Sequence, residues 1–108
     1  MRILGIDPGY GITGFGIIEA QRGACRLLRC GAITTPPNTD FNWRLGEIYN
    51  NMTELMQLAR ADAVAIEELF FGHNVTTGIK VAQARGVILL AVQQAGVPVY
   101  EYKPMQVK

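Results

Sequence analysis

The chain has 108 residues, of which 49% are apolar and 18% charged. That is enough for one domain, too few for two, and far from the low-hydropathy, high-charge composition of a disordered segment. The net charge is only +1, so bulk charge does not point to nucleic acid, and any such partner has to be argued from local features.

Arg2 to Asp7 is a short apolar run, and Asp7-Pro8-Gly9 ends it in a turn. Thr13 to Glu19 reads as a second strand, Gly23 as a turn and Ala24 to Thr34 as a third strand. The short connections imply an antiparallel meander. Cys25 and Cys30 are too few for a disulfide framework and have no second pair for zinc, so they read as plain thiols.

The two prolines of the loop at 35–40 break the third strand, and Thr39 or Asp40 can cap the next segment. From Phe41 to Arg60 the apolar residues Leu45, Ile48, Tyr49, Met52, Leu55, Met56 and Ala59 recur at spacings of three and four, which predicts a helix. Ala63 to Ile66 is a compact apolar run suited to a buried parallel strand.

A second helix opens near Asn74 or Thr76 and runs to about Gln94, with Gly96 as a left-handed cap. On it Gly78, Ala82 and Gly86 form a flat stripe, expected to lie on the sheet first and against a partner helix second. Ile79, Val87, Leu90 and Ala91 spread apolar surface to more than one side, which suggests a dimer. Val97 to Tyr102 is a last strand, with Pro98 pushing it toward an edge or a strand start. The expected order is three strands, helix, strand, helix, strand, forming a single α/β domain over 1–108.

Most of the nine acids have an ordinary home on a helix surface, at a cap or in a turn. Asp7 and Glu67 do not, because each ends an apolar run. Burying an isolated carboxylate there costs several kcal/mol, of order 3–5, unless it is paired, protonated or metal-bound. If the two strands are parallel neighbours, both acids lie at their carboxyl ends, where α/β sheets bind ligands and where two carboxylates can take Mg²⁺. Asp7 also fits a plain turn-forming role in Asp-Pro-Gly. Glu68 competes with Glu67, since alternation lets only one share the side of Asp7.

Gly9, Gly11, Gly14 and Gly16 suit either close approach to a phosphate or a tight hairpin, without the Lys-Ser/Thr ending of a Walker loop. Phe70 and Phe71 can stack on an unpaired base or fold back on the core. His73 reads as a surface or capping residue. Lys80 and Arg85 can meet phosphates or simply be solvated.

In order and spacing, Leu4-Gly5-Ile6-Asp7-Pro8-Gly9, Thr13-Gly14-Phe15-Gly16, Ala65-Ile66-Glu67, Asn74, Gln83-Ala84-Arg85-Gly86, and Tyr100-Glu101-Tyr102 with Gln106-Val107-Lys108 resemble the RuvC family of Holliday-junction resolvases. The resemblance covers essentially the whole chain. It implies a ribonuclease-H-like mixed sheet, with three antiparallel strands followed by parallel ones, flanking helices, and a C-terminal helix missing here. It implies a homodimer that nicks four-way DNA junctions by Mg²⁺-dependent hydrolysis, two ions per complete site, in recombination and repair, alongside branch-migration motor proteins.

The resemblance also implies four acidic metal ligands. Asp7 matches the first and Glu67 the second, which favours Glu67 over Glu68. The third and fourth match nothing here, since no Asp or Glu comes after Glu101. These 108 residues alone are therefore expected to bind Mg²⁺ weakly and to cleave little or not at all. Phe70 matches an aromatic that stacks at the opened junction, Lys108 matches a basic residue near the scissile phosphate, and Arg85 joins them as an expected DNA contact. With no signal-like leader and no spanning apolar run, a cytoplasmic protein without a membrane is expected. Two rivals remain: an ATPase of the actin and sugar-kinase superfamily, and a non-catalytic relative that binds structured nucleic acid.

Overall fold

A computed structural model describes residues 1–68 and 75–102. The elements are β1 (Arg2–Asp7), β2 (Ile12–Gln21), β3 (Ala24–Thr34), α1 (Phe41–Ala59), β4 (Ala63–Glu67), α2 (Val75–Gln94) and β5 (Val99–Tyr102). They form one five-stranded sheet in the order β3-β2-β1-β4-β5. β1, β2 and β3 pair antiparallel, while β4 pairs parallel to both β1 and β5. This is the expected mixed sheet.

The turns arise from local chemistry. Gly23 takes φ +68 between β2 and β3, and Gly96 takes φ +75 after α2, both in the left-handed region that glycine enters without steric cost. At the start of α1 the Asp40 carboxylate accepts from the Trp43 amide at 3.0 Å, while the Thr39 hydroxyl donates instead to the Pro36 carbonyl. The cap choice thus falls to Asp40. β5 begins two residues later than expected. Pro98 has no N–H for the ladder, and it meets β4 only by accepting from the Val64 amide at 2.9 Å.

One face of the sheet carries the core. Leu4 and Ile6 of β1, Ile17 of β2, and Val64 and Ile66 of β4 pack in one cluster with Ile48, Met52, Leu55 and Met56 of α1 and with Ala84, Ile88, Ala91 and Val92 of α2. Both helices therefore lie on the same face, and they also pack on each other. Side chains alternate along a strand, so Asp7 and Glu67, one position beyond Ile6 and Ile66, belong to the opposite face.

The small-residue stripe of α2 does not lie on the sheet as expected. The sheet side of this helix is Ala84, Ile88, Ala91 and Val92, whereas Gly86 is exposed and an added Cβ there would meet nothing. Ile79 and Leu90, 51% and 50% exposed, share that outer side at helical spacing. Among the described residues no helix is long and apolar enough to cross a membrane.

Candidate active site

Parallel pairing of Ile3 with Ala63 through Ile6 with Ile66 sets the register of β1 against β4. One step further, at the carboxyl ends of both strands, Asp7 and Glu67 come side by side on the face away from the helices. β5 continues the row, since Glu67 stands opposite Tyr102. Three side chains from three adjacent strands thus meet at one end of the sheet. Among β1's antiparallel partners, Gly14 stands opposite Asp7 and Gly16 opposite Gly5. With no side chains at these positions, the sheet surface next to Asp7 stays low.

The electrostatics reflect this juxtaposition. The Glu67 carboxyl is pushed above the usual carboxylate range by partial burial, then by its hydrogen bond with Asp7, then by the Asp7 negative charge. A hydrogen bond that raises an acid's pKa is one in which the protonated acid donates, so in its protonated form Glu67 is the donor of the pair. Tyr102 is also pushed upward, first by burial, then by the charge of Glu67 and then by that of Asp7. Its phenol therefore keeps its proton.

A pair of hard carboxylate oxygens held together against their own repulsion, and open to solvent, fits a divalent cation such as Mg²⁺. Such an ion takes about six oxygen ligands, so the two acids leave most positions for water or further donors. Among the described residues no third acid, histidine or cysteine joins them.

Glu68 lies outside this arrangement. It comes directly after the last residue of β4, its amide donates to the Tyr102 carbonyl at 2.6 Å, and its side chain is exposed. The alternative left open by pattern is therefore resolved by register: Glu67, not Glu68, neighbours Asp7.

The loop after Asp7 is held tightly. The Thr13 hydroxyl, 1% exposed, donates to the Gly9 carbonyl at 2.8 Å and accepts from the Gly9 amide at 3.2 Å. A Cβ on Gly9 would run into the Ile12 carbonyl, so the close approach requires glycine here. The hairpin reading of the glycines accounts for this turn.

Arg85 is tied to the protein's own strands. Its side chain is 13% exposed, its Nε donates to the Glu67 backbone carbonyl at 3.3 Å, and its terminal nitrogen lies 3.1 Å from a Glu101 carboxylate oxygen. The second contact joins charges without the alignment of a good hydrogen bond. From beneath the sheet, Arg85 links the strand carrying Glu67 to β5. Phe70, Lys108 and His73 lie outside the described residues.

Tyr102 was missed as a neighbour of the acids. Its alternation along β5 was readable, but its meeting with Glu67 depends on β4 lying between β1 and β5, which no local pattern specifies.

Comparison with known proteins adds family context. The family model "Crossover junction endodeoxyribonuclease RuvC" matches residues 3–108. The chain is 52% identical over 108 residues to the protein of that name from Chloroflexus aurantiacus, covering 100% of this chain and 66% of the relative. The protein of that name from Brevibacillus brevis is 50% identical over 108 residues, with 100% and 65% covered. The chain thus spans just under two thirds of the length of these relatives. A solved structure of T. thermophilus RuvC in complex with Holliday junction substrate superimposes with a TM-score of 0.92 at 38% identity, covering 100% of this chain and 69% of that one.

Proposed function

Because the chain belongs to the RuvC family of crossover junction endodeoxyribonucleases, we propose that it carries part of the active centre of an endonuclease that resolves four-way DNA junctions. The observation that supports this most directly is the pairing of Asp7 and Glu67 at the carboxyl ends of adjacent parallel strands. The reaction is phosphodiester hydrolysis: water adds to phosphorus and one P–O ester bond breaks.

Asp7 and Glu67 would hold a divalent cation, Mg²⁺ by the chemistry of the donors, with two ions in the complete site. When bound, the cation supplies positive charge that offsets the charge building on the phosphate. A bound cation would favour the ionised form of Glu67, against the direction in which burial and Asp7 push it. Tyr102 borders the pair and keeps its phenolic proton, which leaves it a donor toward a phosphate oxygen. The absence of side chains at Gly14 and Gly16 lets a strand come close to the carboxylates.

By family pattern, Phe70 stacks on a base at the opened junction and Lys108 touches DNA near the cut. The working unit is a homodimer, and the outer side of α2 with Ile79 and Leu90 offers apolar surface for it. The enzyme acts in the cytoplasm beside branch-migration motor proteins.

The test is a synthetic four-way junction incubated with the complete natural protein and Mg²⁺. Symmetric nicking is expected with the native sequence, and loss of nicking by about 10³-fold or more is expected in Asp7→Asn, the scale on which removing a charge-stabilising group acts. Nicking at the native rate in that variant sinks the assignment.

A further inference from the structure

Two residues along the chain from Asp7, the β1–β2 loop forms one wall of an open concavity of about 710 Å³, lined by Gly9, Tyr10 and Gly11, by Asn38, and by Arg44 and Lys80 from the two helices. The chemistry of this hollow is one-sided, since it contains two cations and none of its lining residues is acidic. Among the described residues neither Arg44 nor Lys80 enters an ion pair. Of the acids flanking Arg44 in sequence, Asp40 is committed to the Trp43 amide as the cap of α1, and Glu47 forms no ion pair among the described residues.

Both cations are held in place by an aromatic ring. The Arg44 guanidinium lies 5.4 Å from the centre of the Tyr10 ring, with Nε donating to the Thr35 hydroxyl at 3.0 Å and a terminal nitrogen 3.5 Å from the Tyr10 carbonyl. Lys80 Nζ lies 5.6 Å from the Tyr10 ring and 5.8 Å from that of Phe41, which itself meets Tyr10 edge-on. Gly11 makes room for this arrangement, because a Cβ there would come within 3.3 Å of an Arg44 nitrogen. A ring face attracts a cation without neutralising it, and it replaces part of the hydration that a phosphate would otherwise have to displace. The result is two positioned, uncompensated positive groups beside a bare glycine backbone.

The geometry points to this hollow as a phosphate cradle: Arg44 and Lys80 grip the DNA backbone on the strand that runs past Asp7 and Glu67, and so set which phosphate reaches the acids. Two residues of chain span at most about 7 Å, so the Gly9 wall of the cradle adjoins the strand end that carries Asp7. The grip reads no sequence, because phosphates are the same at every step. The inference rests on the endonuclease reading above and deepens it.

The experiment measures junction binding by the complete natural protein without a divalent cation, across a salt series, for the native sequence, Lys80→Gln and Lys80→Glu. Lys80 is chosen because its only described contacts are ring faces, so its loss leaves the Arg44 hydrogen bonds intact. The expected result is weaker binding on junctions of every sequence, a salt slope shallower by about 1 for Lys80→Gln, and a larger loss for Lys80→Glu, with the melting temperature unchanged. Native protein that binds the junction while both variants match it in affinity and slope overturns the cradle and leaves the endonuclease reading standing. A loss confined to one junction sequence overturns the backbone assignment in favour of a base contact. Native protein that does not bind four-way DNA overturns both readings.

Discussion

Asp7 and Glu67 stand side by side at the carboxyl ends of β1 and β4, and partial burial, together with the hydrogen bond and the charge of Asp7, raises the pKa of Glu67. A carboxyl whose pKa is raised by folding binds more protons in the folded state than in the unfolded one. Its contribution to stability is then greatest at low pH and declines as pH rises through the folded value. Without a divalent cation, the native chain should therefore lose some stability between acidic and neutral pH. Glu67→Gln should remove that loss and raise the neutral melting temperature by about 1–3 °C, a small gain because both groups are largely solvated. Mg²⁺ should raise the native melting temperature and leave that of Asp7→Asn almost unmoved. Thermal melts at two pH values, with and without Mg²⁺, check all of this; a native protein indifferent to both would contradict the pairing.

The clasp between Thr13 and Gly9 is a second target. Thr13→Val keeps the shape and loses both hydrogen bonds, leaving the Gly9 amide and carbonyl to find other partners. A cost of about 1–3 kcal/mol in urea unfolding is expected, and Thr13→Ser should recover most of it. Gly9→Ala should cost at least as much, since its new methyl group meets backbone and not a flexible side chain.

Arg85 should behave as a structural link between strands. Arg85→Gln removes both its contact with the Glu67 carbonyl and the charge facing Glu101. The expected cost is about 1–2 kcal/mol, held down by the exposure of Glu101. Arg85→Lys should fail to rescue it, because an ammonium cannot span the two sites as the planar fork does. Chemical denaturation of the three proteins gives the comparison; full stability in Arg85→Gln would show that neither contact ties the two strands together.

The outer side of α2 makes its own prediction. Leu90→Glu should shift the proposed homodimer toward monomer in sedimentation without unfolding it, since Leu90 is half exposed in the single chain. Sedimentation of this variant as a dimer would place the interface elsewhere.

Much of the architecture was legible where the chain carries its own punctuation. Pro8 and Gly9 end β1, Gly23 turns β2 into β3, Pro36 ends β3, and Asp40 starts α1; those boundaries fall where they were expected to within a few residues. The outward side of α2 was not legible. Apolar residues run almost all round that helix, so periodicity could not say which side the sheet would take. The choice between Glu67 and Glu68, and the presence of Tyr102 beside them, depend on strand order and register. These are long-range properties that become visible only once β4 lies between β1 and β5. Arg85 read as a free cation because nothing near it in the chain announces the backbone carbonyl it would meet.

The parallel contact between β1 and β4 has a kinetic consequence. β1, β2 and β3 can zip together through short turns, but Glu67 reaches Asp7 only after the fifty-nine residues between them, α1 included, have been gathered in. Contacts that close such long loops tend to form late and slowly. A half-folded chain would thus own one carboxylate at a time and could not capture a divalent ion through both. Mg²⁺ would leave the early steps of folding untouched and act chiefly by slowing escape from the finished state.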